Sequence, residues 1–100
     1  MKSGEEKVVC ETPTPGKKPT RIAAWKYDVV RDAILAVVPR RGEGLLFKDL
    51  SRAVAERLSV EDAQRLGSIG WYSTTVKLDL EVKGELRRVP GAKPQRLLRT

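Results

Sequence analysis

The fold is decided by residues 68–99, which read SIGWYSTTVKLDLEVKGELRRVPGAKPQRLLR. The first half predicts a helix over 69–83, because Ser68 can cap its N-terminus and Gly84 can end it in the left-handed conformation. The second half predicts a β-hairpin, because residues 90–94 (PGAKP) form a turn cluster between two short runs rich in leucine and arginine. The stretch therefore predicts a helix that leads directly into a C-terminal hairpin.

Upstream of this stretch, apolar residues recur at helical spacing and predict further helices. Pro39 ends the first of them, and Ser59 with Asp62 three residues later marks the start of a short one. The elements predicted upstream are a helix over 24–38, a very short strand over 45–46, a helix over 47–58 and a short helix over 60–66. The sequence therefore predicts an α+β fold with three main helices, one short extra helix and a C-terminal hairpin.

The first 19 residues differ in composition from the rest, since Pro13, Pro15 and Pro19 impose turns on them. We expect residues 1–19 to form an N-terminal arm, flexible or folded as a hairpin, and residues 20–100 to form the domain proper. We also expect residues 1–18 to contribute little to the core. Cys10 in this arm has no neighbouring histidine or helix terminus to activate it, which predicts an ordinary free thiol.

The composition of the 100-residue chain limits the functions open to it. One cysteine and no histidine exclude an internal disulfide and a structural zinc site, and remove the commonest general base. No apolar run approaches the roughly 20 residues that a membrane span needs, and residues 1–4 (MKSG) lead into charged residues without the apolar core of a signal peptide. We therefore expect a cytoplasmic, single-domain protein that uses no metal or cofactor, does not enter a membrane and is not an enzyme.

The net charge of +7 is concentrated at the C-terminal end. Residues 87–100 contain five basic residues and no acidic one, so residues 1–86, with 15 basic and 13 acidic side chains, contribute only +2. A concentrated positive segment attracts polyanions, because each phosphate contact releases condensed counterions. Improved solubility is the alternative explanation of such a segment.

The order helix, short strand, helix, short helix, helix, hairpin is that of a winged helix-turn-helix domain. The passage 80–88, LEVKGELRR, resembles the junction of helix and wing in bacterial winged-helix regulators. Residues 20–100, centred on 70–80 (GWYSTTVKLDL), also resemble a family of small uncharacterised bacterial proteins. The winged-helix resemblance implies that the last helix is a recognition helix, that the hairpin is a wing, and that double-stranded DNA is the partner.

Two groups of residues are the candidate DNA contacts. The polar sector of the last helix offers donors at Ser73, Thr74 and Lys77, although the Glu81 carboxylate in the same sector repels phosphate. The wing offers phosphate-binding cations at Arg87, Arg88, Lys93, Arg96 and Arg99. A solvated helix face explains the first group equally well, so we expect DNA affinity to come mainly from the wing.

The last helix also carries a second apolar stripe at Trp71, Leu78 and Val82. Either these side chains pack beneath the arm or the wing, or they form an exposed patch for a homodimer or another protein.

Asp79 and Lys83, one turn apart, predict a helical ion pair and not a catalytic carboxylate. We therefore expect a DNA-binding protein, with transcriptional regulation as one interpretation and a protein-interaction module as the alternative function.

Overall fold

The computed structural model describes residues 6–100 and has an α+β architecture, as predicted. Residues 6–100 contain four α-helices, one 3₁₀ turn (Phe47–Asp49) just before the second of them, and two small antiparallel sheets. The helices are α1 (Ala24–Val37), α2 (Leu50–Arg57), α3 (Val60–Leu66) and α4 (Ile69–Val82), and the strands are β1 (Lys7–Cys10), β2 (Thr20–Ala23), β3 (Leu45–Leu46), β4 (Leu86–Arg88) and β5 (Arg96–Arg99).

Serine side chains cap the N-termini of α3 and α4, as the sequence predicts. The Ser59 hydroxyl accepts a hydrogen bond from the backbone N–H of Asp62 (3.0 Å), and the Ser68 hydroxyl accepts one from that of Trp71 (3.1 Å). Each cap satisfies one free N–H group at a helix start and typically contributes about 1 kcal/mol. The caps therefore define two separate helices although only residues 67–68 lie between them.

The C-terminal hairpin is part of a three-stranded sheet, because the short strand β3 pairs with β5. The strand order is β3–β5–β4, and both pairs are antiparallel. Gly44 leads into β3 with φ +84°, and a Cβ on this residue would lie 2.6 Å from the carbonyl oxygen of Leu97. Only glycine fits so close to the β5 backbone in that left-handed conformation. The sheet thus joins the middle of the chain to its C-terminal end.

The N-terminal arm contributes to the hydrophobic core. Strands β1 and β2 pair antiparallel, and Cys10 on β1 is 2 % exposed and packs with the core residues of the helices. The expectation that residues 1–18 contribute little to the core is therefore wrong at Cys10, because pairing with β2 holds β1 against α4. Residues 1–5 of the predicted arm lie outside the described residues.

Candidate nucleic-acid interface

The polar sector of α4 is buried. Ser73 is completely buried and Lys77 is 2 % exposed, while Thr74 beside them is half-buried. The helix turns this sector toward β4 and toward Phe47, whose ring lies against the Lys77 ammonium. The expectation that Ser73 and Lys77 lie on a surface, as DNA contacts or as a solvated face, is therefore wrong.

Lys77 is held inside the protein by a chain of charges that ends on the hairpin. Its Nζ lies 2.5 Å from Oε2 of Glu81, and Oε1 of Glu81 lies 2.7 Å from Nε of Arg88 on β4. Burial lowers the pKa of Lys77, and the adjacent Glu81 carboxylate counteracts that shift. The Lys77 Nζ also lies 4.5 Å from the centre of the Phe47 ring. This network ties α4 to the sheet and pairs Arg88 with an acid.

The second apolar stripe of α4 is divided between the arm and solvent. Leu78 is half-buried and, with Thr75, lines a cleft of about 210 Å³ beside the loop that joins β1 to β2. Trp71 and Val82, near the two ends of the helix, are 47 % and 46 % exposed. Packing beneath the arm therefore applies to Leu78, whereas Trp71 and Val82 remain on the surface.

Asp79 is the centre of a polar cluster that joins α4 to α1 and to the arm. Its buried carboxylate lies 2.7 Å from Nζ of Lys83, which confirms the predicted helical ion pair. It also accepts hydrogen bonds from the Tyr27 hydroxyl (2.5 Å) and from the backbone N–H of Glu11 (2.9 Å). Burial by itself would raise the pKa of Asp79, but these hydrogen bonds and the Lys83 charge outweigh it and lower that pKa.

Cys10 lies near this cluster as an unreactive thiol. Burial and, to a smaller extent, the negative charge of Asp79 raise the pKa of the Cys10 thiol to about 11. Such a thiol stays protonated at neutral pH and is a poor nucleophile. Cys10 is a free cysteine, as predicted, and its raised pKa fits the expectation of an unactivated thiol.

The basic residues of the hairpin divide between the two faces of the sheet. Alternation along β4 and β5 places Arg88 and Arg99 on the face that packs on the core. Arg87 and Arg96 lie on the opposite, outer face, and Lys93 is exposed in the turn. We refer to Arg87, Lys93 and Arg96 as the wing surface.

The wing surface has few acidic neighbours. In the part of the chain that the structure describes, no carboxylate oxygen lies within 4.0 Å of a charged nitrogen of Arg87 or Lys93. Arg96 lies 3.9 Å from Glu43, whose side chain is 88 % exposed. An exposed ion pair contributes about 0–1 kcal/mol at most, so these three cations are available to an external anion.

Two further exposed arginines lie in a loop that is attached to β5, and the sequence pattern does not single them out. Arg40 and Arg41 are exposed in the loop between α1 and β3. The carbonyl oxygen of Pro39 accepts a hydrogen bond from the backbone N–H of Arg99 (2.9 Å), so this loop begins beside β5. The sequence shows that Arg40 and Arg41 are adjacent, but it does not show that their loop begins beside β5.

Comparison with known families covers the core, α4 and most of the hairpin. The model of a family of unknown function, DUF6958, matches residues 7–97. The chain belongs to this family. The DUF6958 match is consistent with the resemblance to a family of small uncharacterised proteins. No curated protein and no solved structure matches the chain.

Among residues 6–100 of this DUF6958 chain, two surface features are candidates for contact with a partner, the wing surface and the exposed ends of α4. Residues 6–100 contain no group of three or more histidine, cysteine, aspartate or glutamate side chains that could hold a metal ion. In the same range, no helix is both long and apolar enough to span a membrane.

Proposed function

We propose that this protein binds double-stranded DNA through its phosphates, using the wing surface of Arg87, Lys93 and Arg96. The observation that carries the proposal is the exposure of Arg87 and Lys93 without a carboxylate within 4.0 Å in residues 6–100. Clustered cations of this kind bind DNA largely by releasing counterions from its phosphates. Because phosphate contacts carry no base information, we expect similar affinity for duplexes of different sequence.

The order of elements supports a winged-helix arrangement in which β4 and β5 form the wing. The helices and β3 precede the hairpin in the order of that fold, and β3 pairs with β5. In such a domain α4 takes the position of the recognition helix. Its charged side chains, those of Lys77, Asp79 and Glu81, are at most 9 % exposed and offer no free cation to DNA. We therefore assign DNA binding to the wing and no base-reading role to α4.

Replacing Arg87, Lys93 and Arg96 with alanine is expected to weaken binding to all duplex sequences alike. Each phosphate contact contributes roughly −0.9 to the slope of log affinity against log salt concentration, so the triple variant should flatten that slope by up to about 2.7. Fluorescence anisotropy with two duplexes of unrelated sequence, between about 50 and 200 mM salt, measures the slope and the sequence preference.

The matched control removes the same charge elsewhere on the surface. It replaces three exposed cations on and just before α2, namely Lys48, Arg52 and Arg57. This variant should keep the slope of the wild type, because its missing cations contact no phosphate. Equal slopes in the wild type and the wing variant would contradict the wing assignment, and a change of sequence preference would contradict binding through phosphates alone.

Protein interaction is a second candidate function, and the exposure of Trp71 and Val82 favours it. Both side chains leave nearly half of their surface in water at the ends of α4. The two side chains share one face of the helix, and exposed apolar residues on a shared face are common in contacts between proteins. The specific interaction that we consider is a homodimer in which α4 lies at the interface.

If α4 joins two copies of the chain, sedimentation should show a dimer for the wild type and a monomer for Trp71→Ala. Because Trp71 is 47 % exposed, its truncation should cost far less than the roughly 3–5 kcal/mol typical of a buried aromatic residue. Val60→Ala is the control, since Val60 is 76 % exposed on α3, and it should not change association. A wild type that stays monomeric at high concentration would eliminate the homodimer.

A further inference from the structure

Building on the proposed function, we infer that Arg40 and Arg41, in the loop between α1 and β3, extend the phosphate-binding surface beyond the wing. The partner that this extended surface fits is duplex DNA and not a single strand. Three observations support these inferences, namely the position of the loop, its charge and its lack of aromatic side chains.

The start of the loop, residues 39–44, is held against the central strand of the sheet. Pro39 follows the end of α1, and its carbonyl oxygen accepts a hydrogen bond from the backbone N–H of Arg99 (2.9 Å). On β5, Arg99 lies two residues beyond Leu97, which pairs with β3. Pro39 therefore occupies the position beside β5 that a longer β3 would fill.

The end of the loop is held against the same strand. Gly44 approaches Leu97 so closely that a Cβ would lie 2.6 Å from the Leu97 carbonyl oxygen, and its own carbonyl oxygen accepts a hydrogen bond from Arg96 (3.4 Å). Because both ends are attached to β5, Arg40 and Arg41 stay next to the strand that carries Arg96.

The charge of the loop matches that of the wing surface. Arg40 and Arg41 are exposed, and among residues 6–100 no carboxylate oxygen lies within 4.0 Å of their guanidinium nitrogens. The acid of the loop, Glu43, is 88 % exposed and 3.9 Å from Arg96. The loop therefore adds two available cations on a segment whose last residues, Glu43 and Gly44, contact Arg96.

The chemistry of this extended surface fits phosphates and not bases. Neither the loop nor residues 84–100 contain phenylalanine, tyrosine or tryptophan. Proteins that bind single strands rely on aromatic side chains on which the bases stack. Guanidinium and ammonium groups instead donate to phosphate oxygens, which a duplex presents at regular spacing.

A double variant, Arg40→Ala with Arg41→Ala, tests whether the loop contacts the duplex. Two lost phosphate contacts should flatten the salt slope by up to about 1.8, so that the loss of affinity between about 50 and 200 mM salt becomes about 12-fold smaller. Arg40→Lys with Arg41→Lys keeps both charges and should keep the slope. The matched control, Lys17→Ala with Lys18→Ala, removes an adjacent exposed pair from the loop between β1 and β2 and should also keep it.

The outcomes separate failure of the loop from failure of the wing. An unchanged slope in the Arg40 and Arg41 alanine variant, with a flattened slope in the wing variant, would overturn the loop assignment alone. No affinity of the wild type for DNA would overturn the proposed function itself.

Competition by the single strand of the same sequence tests whether the partner is a duplex. We expect the duplex to compete more strongly for the protein, and equal competition by the two would overturn that expectation. Equal melting temperatures of the variants would show that a loss of folding does not cause the difference between their salt slopes.

Discussion

Replacement of Asp79 by alanine is expected to lower the free energy of unfolding by about 3 kcal/mol, a large share of the stability of a small domain. The substitution removes the acceptor of the buried Tyr27 hydroxyl and of the Glu11 backbone N–H. A buried polar group left without a partner costs about 1–3 kcal/mol. The ion pair with Lys83 is lost as well. Urea denaturation followed by circular dichroism measures the change.

Asp32→Ala is the matched control for this prediction. The Asp32 carboxylate on α1 is 77 % exposed and lies 3.8 Å from Arg31. Exposed pairs of this kind contribute about 0–1 kcal/mol, so the control should change stability little. An Asp79→Ala protein as stable as the Asp32→Ala protein would contradict the role assigned to the buried cluster.

The same carboxylate predicts a loss of stability in acid. The pKa of Asp79 is lowered in the folded protein, so the unfolded chain takes up its proton first as the pH falls. The stabilisation of the fold by the Asp79 carboxylate is complete above the pKa of about 3.9 that an aspartate has in the unfolded chain. It decreases as the pH falls toward the lower pKa of Asp79 in the folded protein. Asp79→Asn removes this titration, so its stability should depend less on pH below about 5 than that of the wild type. Equal pH dependence in the two proteins would contradict this assignment.

The helix α4 and the hairpin were predictable because their signals are local. The Ser68 side chain caps α4 through the backbone of Trp71, three residues away, and the helix ends at Val82, one residue before the predicted end. The turn residues 90–94 separate β4 from β5 without help from the rest of the chain. Such signals act within a few residues and depend little on tertiary contacts.

The burial of Ser73 and Lys77 was not predictable from helical spacing. A helical pattern shows which side chains share a face, but it does not show what packs on that face. Here the sheet that includes β4 covers the polar face, and Glu81 makes burial of the Lys77 charge tolerable. The i, i+4 spacing of Lys77 and Glu81 was visible in the sequence as a hint of this pair.

The role of the arm depends on contacts between distant parts of the chain. Its prolines correctly indicate turns, but they say nothing of the hydrogen bond from the Glu11 backbone to Asp79, 68 residues away. The position of Arg40 and Arg41 beside β5 likewise depends on the bond between Pro39 and Arg99. Non-local pairing of this kind leaves no periodic pattern in a single sequence.

Titration of the wild-type protein with a random-sequence DNA duplex, at about 50 and 200 mM salt, tests phosphate binding by the wing most directly. If about three to five phosphates are contacted, each contributing roughly −0.9 to the salt slope, the affinity should fall roughly 40- to 500-fold between these concentrations. The wing variant should show a smaller fall under the same conditions. A wild type with no measurable affinity at the lower salt concentration, or with an affinity that salt does not change, would contradict DNA binding through the phosphates.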